Sequence, residues 1–123
     1  MVNMRLKLLS LLMVLFLSDT SQAYGVGTSK VNWMSYEKGI QHARNEGKKI
    51  FLYFHADWCK YCVRMGETTF KHADVIRLLN FKFVSIKVDA DNEKNTAAAY
   101  GVRGLPNSWF LFKNAEPINQ LPG

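Results

Sequence analysis

The chain has 123 residues, 48% of them hydrophobic and 21% charged, with a formal charge of +6. That is enough chain for one core and too little for two, and the composition carries no bias toward disorder. The lysines and arginines are scattered, Lys48-Lys49 being the one close cluster. This pattern describes a solvated surface and argues against a nucleic-acid partner.

The first element is a leader. Arg5 and Lys7 precede the apolar run "LLSLLMVLFL" (8–17), and "SQA" (21–23) follows with small residues of the kind a signal peptidase reads. The apolar run is too short to cross a bilayer, which needs about 20 residues. Asp19 and the polar residues after Leu17 argue against an uncleaved anchor. We therefore expect a signal peptide over 1–23 and one mature domain over 24–123, with 14 basic and 9 acidic residues. An exported protein meets a periplasmic or extracellular space, where disulfides persist.

In the mature chain, apolar residues at 33, 36, 40 and 43 predict a helix from Trp33 to Glu46, closed by Gly47. "KIFLYFH" (49–55) is a buried strand, and "CKYCVRMGETTF" starts a helix that Gly66 and Thr68-Thr69 weaken before "ADVIRLLN" resumes. "FKFVSIKVD" (81–89) alternates as a second strand, and "NEKNTAAAYG" (92–101) is helical with Gly101 as its stop. "SWFLFK" (108–113) and "INQL" (118–121) form a hairpin around "NAEP". Strands alternating with helices imply an α/β domain, a central mixed sheet flanked by helices, with an antiparallel edge.

Only two cysteines occur, Cys59 and Cys62. As a structural staple they would close a four-residue loop, worth about 2 kcal/mol, less than distant cysteines give. As zinc ligands they would need help from His42, His55 or His72, none at a recognisable metal-motif spacing. As a redox pair they fit the local physics. Cys59 stands between a strand and the first turn of a helix, where unpaired N–H groups and the dipole favour a thiolate. Cys62 lies one turn deeper on the same face. The expectation is that Cys59 is the solvent-facing, low-pKa nucleophile and Cys62 the shielded resolving thiol. Lys60 adds a nearby positive charge that should favour the thiolate. The Lys60-Tyr61 pair lies where the pKa and potential of the two thiols are tuned, and Tyr61 is expected to be exposed between them where partners could touch it.

At "ADWCKYC" and at "YGVRGLP" (100–106) the chain resembles the thioredoxin family. The likeness covers nearly all of the mature chain. It is greatest to the C-terminal exported domain of the membrane thiol transporter DsbD and to free-standing exported thioredoxins. The resemblance implies a thioredoxin fold and a thiol:disulfide oxidoreductase that holds its electrons in the Cys59–Cys62 pair and needs no organic cofactor or metal. It implies protein disulfide or dithiol substrates and, in an oxidising compartment, a membrane electron donor. It makes Pro106 a cis-proline beside the cysteines, with Leu105 offering its backbone to an extended substrate and Trp58 shaping the approach to Cys59.

Two positions depart from the family pattern. Tyr53 stands where many thioredoxins carry a buried aspartate that moves the resolving thiol's proton, which leaves water or Glu67 as acceptors. A closing helix is also missing after "INQLPG", so either the chain given is shortened or one sheet face stays partly bare. Two rival functions use the same residues: a binding or chaperone module acting through Leu105 and Pro106, and a Cu(I) carrier using both cysteines. The redox direction is not written in the residues, because potentials in this fold run from about −270 to about −120 mV. The resemblance favours a reductant.

Overall fold

The computed structural model describes residues 27–122; the expected signal peptide and its cleavage point lie outside the described residues. The elements, in chain order, are β1 (Trp33–Met34), α1 (Tyr36–Glu46), β2 (Lys49–His55), α2 (Lys60–Glu67), a 3₁₀ turn (Thr69–Lys71) and α3 (Ala73–Lys82). They continue with β3 (Phe83–Asp89), α4 (Lys94–Ala99), β4 (Asn107–Leu111) and β5 (Pro117–Leu121). The sheet order is β1-β3-β2-β4-β5. The first three strands in that order run parallel, and β4 and β5 are antiparallel to their neighbours. None of the helices among the described residues is long and apolar enough to cross a membrane.

β2 sits at the centre, and its dense apolar run follows from being covered on both sides. Ile50, Leu52 and Phe54 face one way, where Val84, Ile86, Val88 and Leu111 meet Ala43 of α1 and Ala97 of α4. Phe51 and Tyr53 face the other way, against Phe70, Ile76 and Leu79 of the 3₁₀ turn and α3. α1 and α4 therefore cover one face, and the segment from the 3₁₀ turn through α3 covers the other.

Three boundaries differ from the sequence expectation. Trp33 and Met34 are not the start of a helix; they pair with Ser85 and Ile86 as a short parallel strand. Ser35, extended at φ −68° and ψ 161°, caps α1 instead. The reason is packing: the Trp33 ring lies 5.0 Å from Phe70 and 5.7 Å from Tyr53, on the face opposite α1. Phe81 and Lys82 complete the last turn of α3 rather than opening β3, since Ile76 and Leu79 hold the helical period in the core and leave Phe81 exposed. β4 likewise ends at Leu111, because the chain turns back at once: the Ala115 N–H donates to the Phe112 carbonyl at 2.9 Å, with Ala115 in the left-handed region at φ 70°. Phe112, Ile118 and Leu121 around this hairpin are exposed.

Two glycines have specific duties. Gly47 ends α1 in the left-handed region at φ 66°, donating to the Ala43 carbonyl as a C-cap. Gly39 lets α1 approach the sheet: a Cβ there would fall 2.6 Å from Cδ1 of the fully buried Ile86. Gly39→Ala should gain about 1 kcal/mol of helix propensity and lose more than that to overpacking, which costs about 1–3 kcal/mol. A lower urea midpoint at unchanged m-value is the expected result; a raised midpoint would show that Ile86 can move aside.

Candidate active site

The site is assembled at the carboxyl ends of β2 and β3. These strands run parallel and in register, with His55 opposite Asp89, so the loops that leave them emerge side by side. The loops are tied by the Ala90 N–H, which donates to the His55 carbonyl at 2.8 Å. From β2 the chain turns through Ala56, Asp57 and Trp58, and Cys59 N–H donates back to the Ala56 carbonyl at 3.1 Å.

Cys59 is the N-cap of α2. Its backbone is extended at φ −77° and ψ 104°, and its sulfur accepts the Cys62 N–H at 3.2 Å, satisfying one of the orphan donors of the first turn. The Cys59 carbonyl in turn accepts from Val63 at 3.1 Å, which begins the helical ladder. Cys59 and Cys62 are joined in a disulfide with Cα atoms 5.2 Å apart, an ordinary separation for such a bridge.

One expectation about this pair is not met in the disulfide form. Cys59 is no more open than its partner: it is 3% exposed against 6% for Cys62. Both sulfurs pack in a small cluster with Ala56, and Leu105 lies over them. The N-cap geometry turns the Cys59 side chain inward, over the first turn of α2 and toward the Cys62 N–H.

Leu105 and Pro106 come to the pair from the loop before β4, half-buried, and the bond between them is cis. Among the described residues no backbone hydrogen bond is made by Leu105. Trp58 is not a core aromatic. It is 70% exposed and held by its indole, Nε1 donating to Asp91 Oδ2 at 2.8 Å. The carboxylate of Asp89 fixes that loop by accepting from the Asp91 N–H at 2.9 Å and from Asn92 Nδ2 at 2.9 Å. Tyr61 is 68% exposed on the outer side of α2, and Lys60 is exposed at its first position.

Beneath the site Tyr53 is fully buried, its ring 4.9 Å from Phe70 and stacked 6.0 Å from His55. Its hydroxyl has no hydrogen-bond partner, and burial pushes the phenol up to about 12. A phenol so placed stays protonated at neutral pH and does not replace a carboxylate as a proton acceptor. Burial, and then the Lys87 ammonium, hold the His55 imidazole below its ordinary value. Glu67 is exposed at the far end of α2, and its position five residues after Cys62 points it about 140° away around the helix axis. Among the described residues no group of three or more His, Cys, Asp or Glu side chains is placed to hold a metal ion.

Asp91 and Arg64 also line the site, although neither belongs to the cysteine or Gly-Leu-Pro motif. Asp91 is legible in "VDAD" (88–91), because a strand parallel to β2 and in register with it must deliver its own loop to the same place. Arg64 lies one turn after Tyr61 on α2 and shares a groove of about 570 Å³ with Tyr61, Met65, Thr69, Leu105 and Pro106. A second groove, of about 280 Å³, runs on the other side of Leu105 past Trp58, Asp91, Lys94 and Arg103.

Comparison with known proteins agrees with this geometry. Residues 36–123 match the family model described as a thioredoxin-like domain. The chain is 28% identical over 113 residues to the thioredoxin-like protein CXXS1 of Oryza sativa subsp. japonica, covering 85% of this chain and 78% of the relative. It is 26% identical over 115 residues to the disulfide bond reductase DsbH of Chlamydia pneumoniae, covering 84% of this chain and 69% of the relative. Among solved structures, a DsbH oxidoreductase superposes with a TM-score of 0.71 over 85% of this chain and 81% of its own; at 19% identity that is a likeness of fold.

Proposed function

We propose, for a chain that belongs to the thioredoxin-like disulfide oxidoreductase family, the role of an exported reductase of protein disulfides. The observation that carries the reading is the sulfur of Cys59 at the N-cap of α2, accepting the Cys62 N–H one turn before its disulfide partner. In the reduced protein the same N–H and the helix terminus favour a Cys59 thiolate. That thiolate attacks one sulfur of a substrate disulfide, forming a Cys59–substrate disulfide and expelling the other substrate sulfur, which takes up a proton. Cys62, deprotonated, then attacks Cys59 Sγ, restoring the Cys59–Cys62 bridge and releasing the second substrate thiol. Two electrons and two protons pass from the protein dithiol to the substrate. The uncommitted backbone of Leu105 supports docking of an extended substrate strand beside the sulfurs.

Reductive direction and location outside the cytoplasm rest on the leader-like residues 1–23 and on the likeness to a relative named as a disulfide bond reductase. An exported reductase has no surrounding thiol pool, so a dithiol donor at the membrane must reload it. Equilibration of the purified domain with glutathione buffers tests the direction. The expected potential lies at about −270 to −230 mV, the reductant end of the fold's range; a value near −120 mV would make the protein an oxidant.

A further inference from the structure

The two grooves that meet at Leu105 agree in charge. Arg64 is the one charged side chain of the first groove; Lys94 and Arg103 line the second, with Asp91 as its single acid. One oxygen of Asp91 is already taken by the Trp58 indole. Among the described residues the one ion pair is Arg77–Asp74, on α3. Arg64, Lys94 and Arg103 therefore present charge that no carboxylate of the chain neutralises by direct contact. A polypeptide crossing Leu105 above the sulfurs would pass a cation on each side.

We propose that these grooves select substrate segments with acidic side chains on both flanks of the reactive cysteine, and with an aromatic or long aliphatic side chain seated over Tyr61, Met65 and Pro106. The proposal deepens the oxidoreductase reading and rests on it for the identity of the ligand as a substrate. The apolar part of the first groove supplies contact area, with Met65 adaptable in shape. The cations supply register and discrimination, since a lysine-flanked segment meets like charge at both ends. Exposed ion pairs are individually weak, about fivefold in an equilibrium constant at most, so two flanks together give roughly tenfold at low salt.

The test uses the oxidised protein and two cysteine-free peptides that differ only in having glutamates or lysines on both sides of a central Phe-Ser. Their dissociation constants are read from backbone NMR shifts, which also show that each variant is folded. Roughly tenfold tighter binding of the glutamate peptide is expected, with shifts on both sides of Leu105 and a preference that fades by about 0.5 M salt. Arg64→Glu and the pair Lys94→Glu/Arg103→Glu should each cut the preference severalfold, and the triple variant should invert it. Equal binding of the two peptides, or a preference indifferent to these variants, would overturn the proposal. Stoichiometric cleavage of uncharged bis(2-hydroxyethyl) disulfide by the reduced protein, one disulfide reduced for each Cys59–Cys62 pair oxidised, reports separately on the reaction: its absence alongside an intact charge preference would sink the reductase reading and keep the binding surface, no longer as a substrate site.

Discussion

Cys59→Ser should abolish insulin disulfide reduction, a loss of several orders of magnitude, as when other covalent catalysts lose their nucleophile. Cys62→Ser should fail differently. Its Cys59 can still attack, so one equivalent of substrate thiol is released and the protein accumulates as a mixed disulfide, visible by mass spectrometry and cleared by dithiothreitol. The asymmetry follows from the N-cap: only Cys59 Sγ receives a backbone N–H at the start of α2, whereas Cys62 is within the helix. If Cys59→Ser trapped substrate and Cys62→Ser did not, the two roles would be exchanged. If both variants kept a function of the wild-type protein, the cysteines would be incidental to it, as a pure binding module requires.

Tyr53→Phe should stabilise the protein, which is unusual for a substitution at a fully buried site. The hydroxyl is buried without a partner, and such a group costs roughly 1–3 kcal/mol, so a gain of about 1 kcal/mol is expected at pH 7. The difference should widen in alkali. The unfolded tyrosine ionises near pH 10, whereas the folded one is held to about 12. The folded state thus keeps its full stability below pH 10 and loses it between pH 10 and 12, by about 2 kcal/mol from this group. Phenylalanine removes that loss. Tyr100, also raised by burial and then by its bond to Tyr36, still titrates in both proteins and leaves part of the alkaline decline. Urea midpoints at neutral and alkaline pH measure both effects. A variant less stable at pH 7 would mean that the hydroxyl is satisfied by water.

What could be read from the residues was whatever has a local cause. The buried run 49–55, the left-handed Gly47, the break at Gly66 to Thr69 and the hairpin after Leu111 each announce themselves within a few positions. The cysteine pair with its preceding Trp and the later Gly-Leu-Pro did the same for the site. What could not be read was set by distant partners. Trp33 shares the helical spacing of Tyr36, Ile40 and Ala43, and only the aromatic cluster on the far face pulls it, with Met34, into the sheet. The exposure of Trp58 depends on Asp91, thirty-three residues away. The burial of both sulfurs depends on Leu105, more than forty residues away, packing over the bridge. Such contacts exist only once the strands are ordered.

The shared alignment of β2 with β3 and β4 has a consequence for how this protein could change over time. Since β2 contributes to both cores, shifting it by a single position would exchange Tyr53 with Phe54 and put each on the wrong side. The strand is thereby locked in place, and with it the three-residue tether Ala56–Trp58 that carries the sulfurs. Side chains along the grooves are under no such lock. Divergence in what the protein recognises can proceed by exchanging residues there, whereas adding or removing one between His55 and Cys59 would displace the reactive bridge from Leu105.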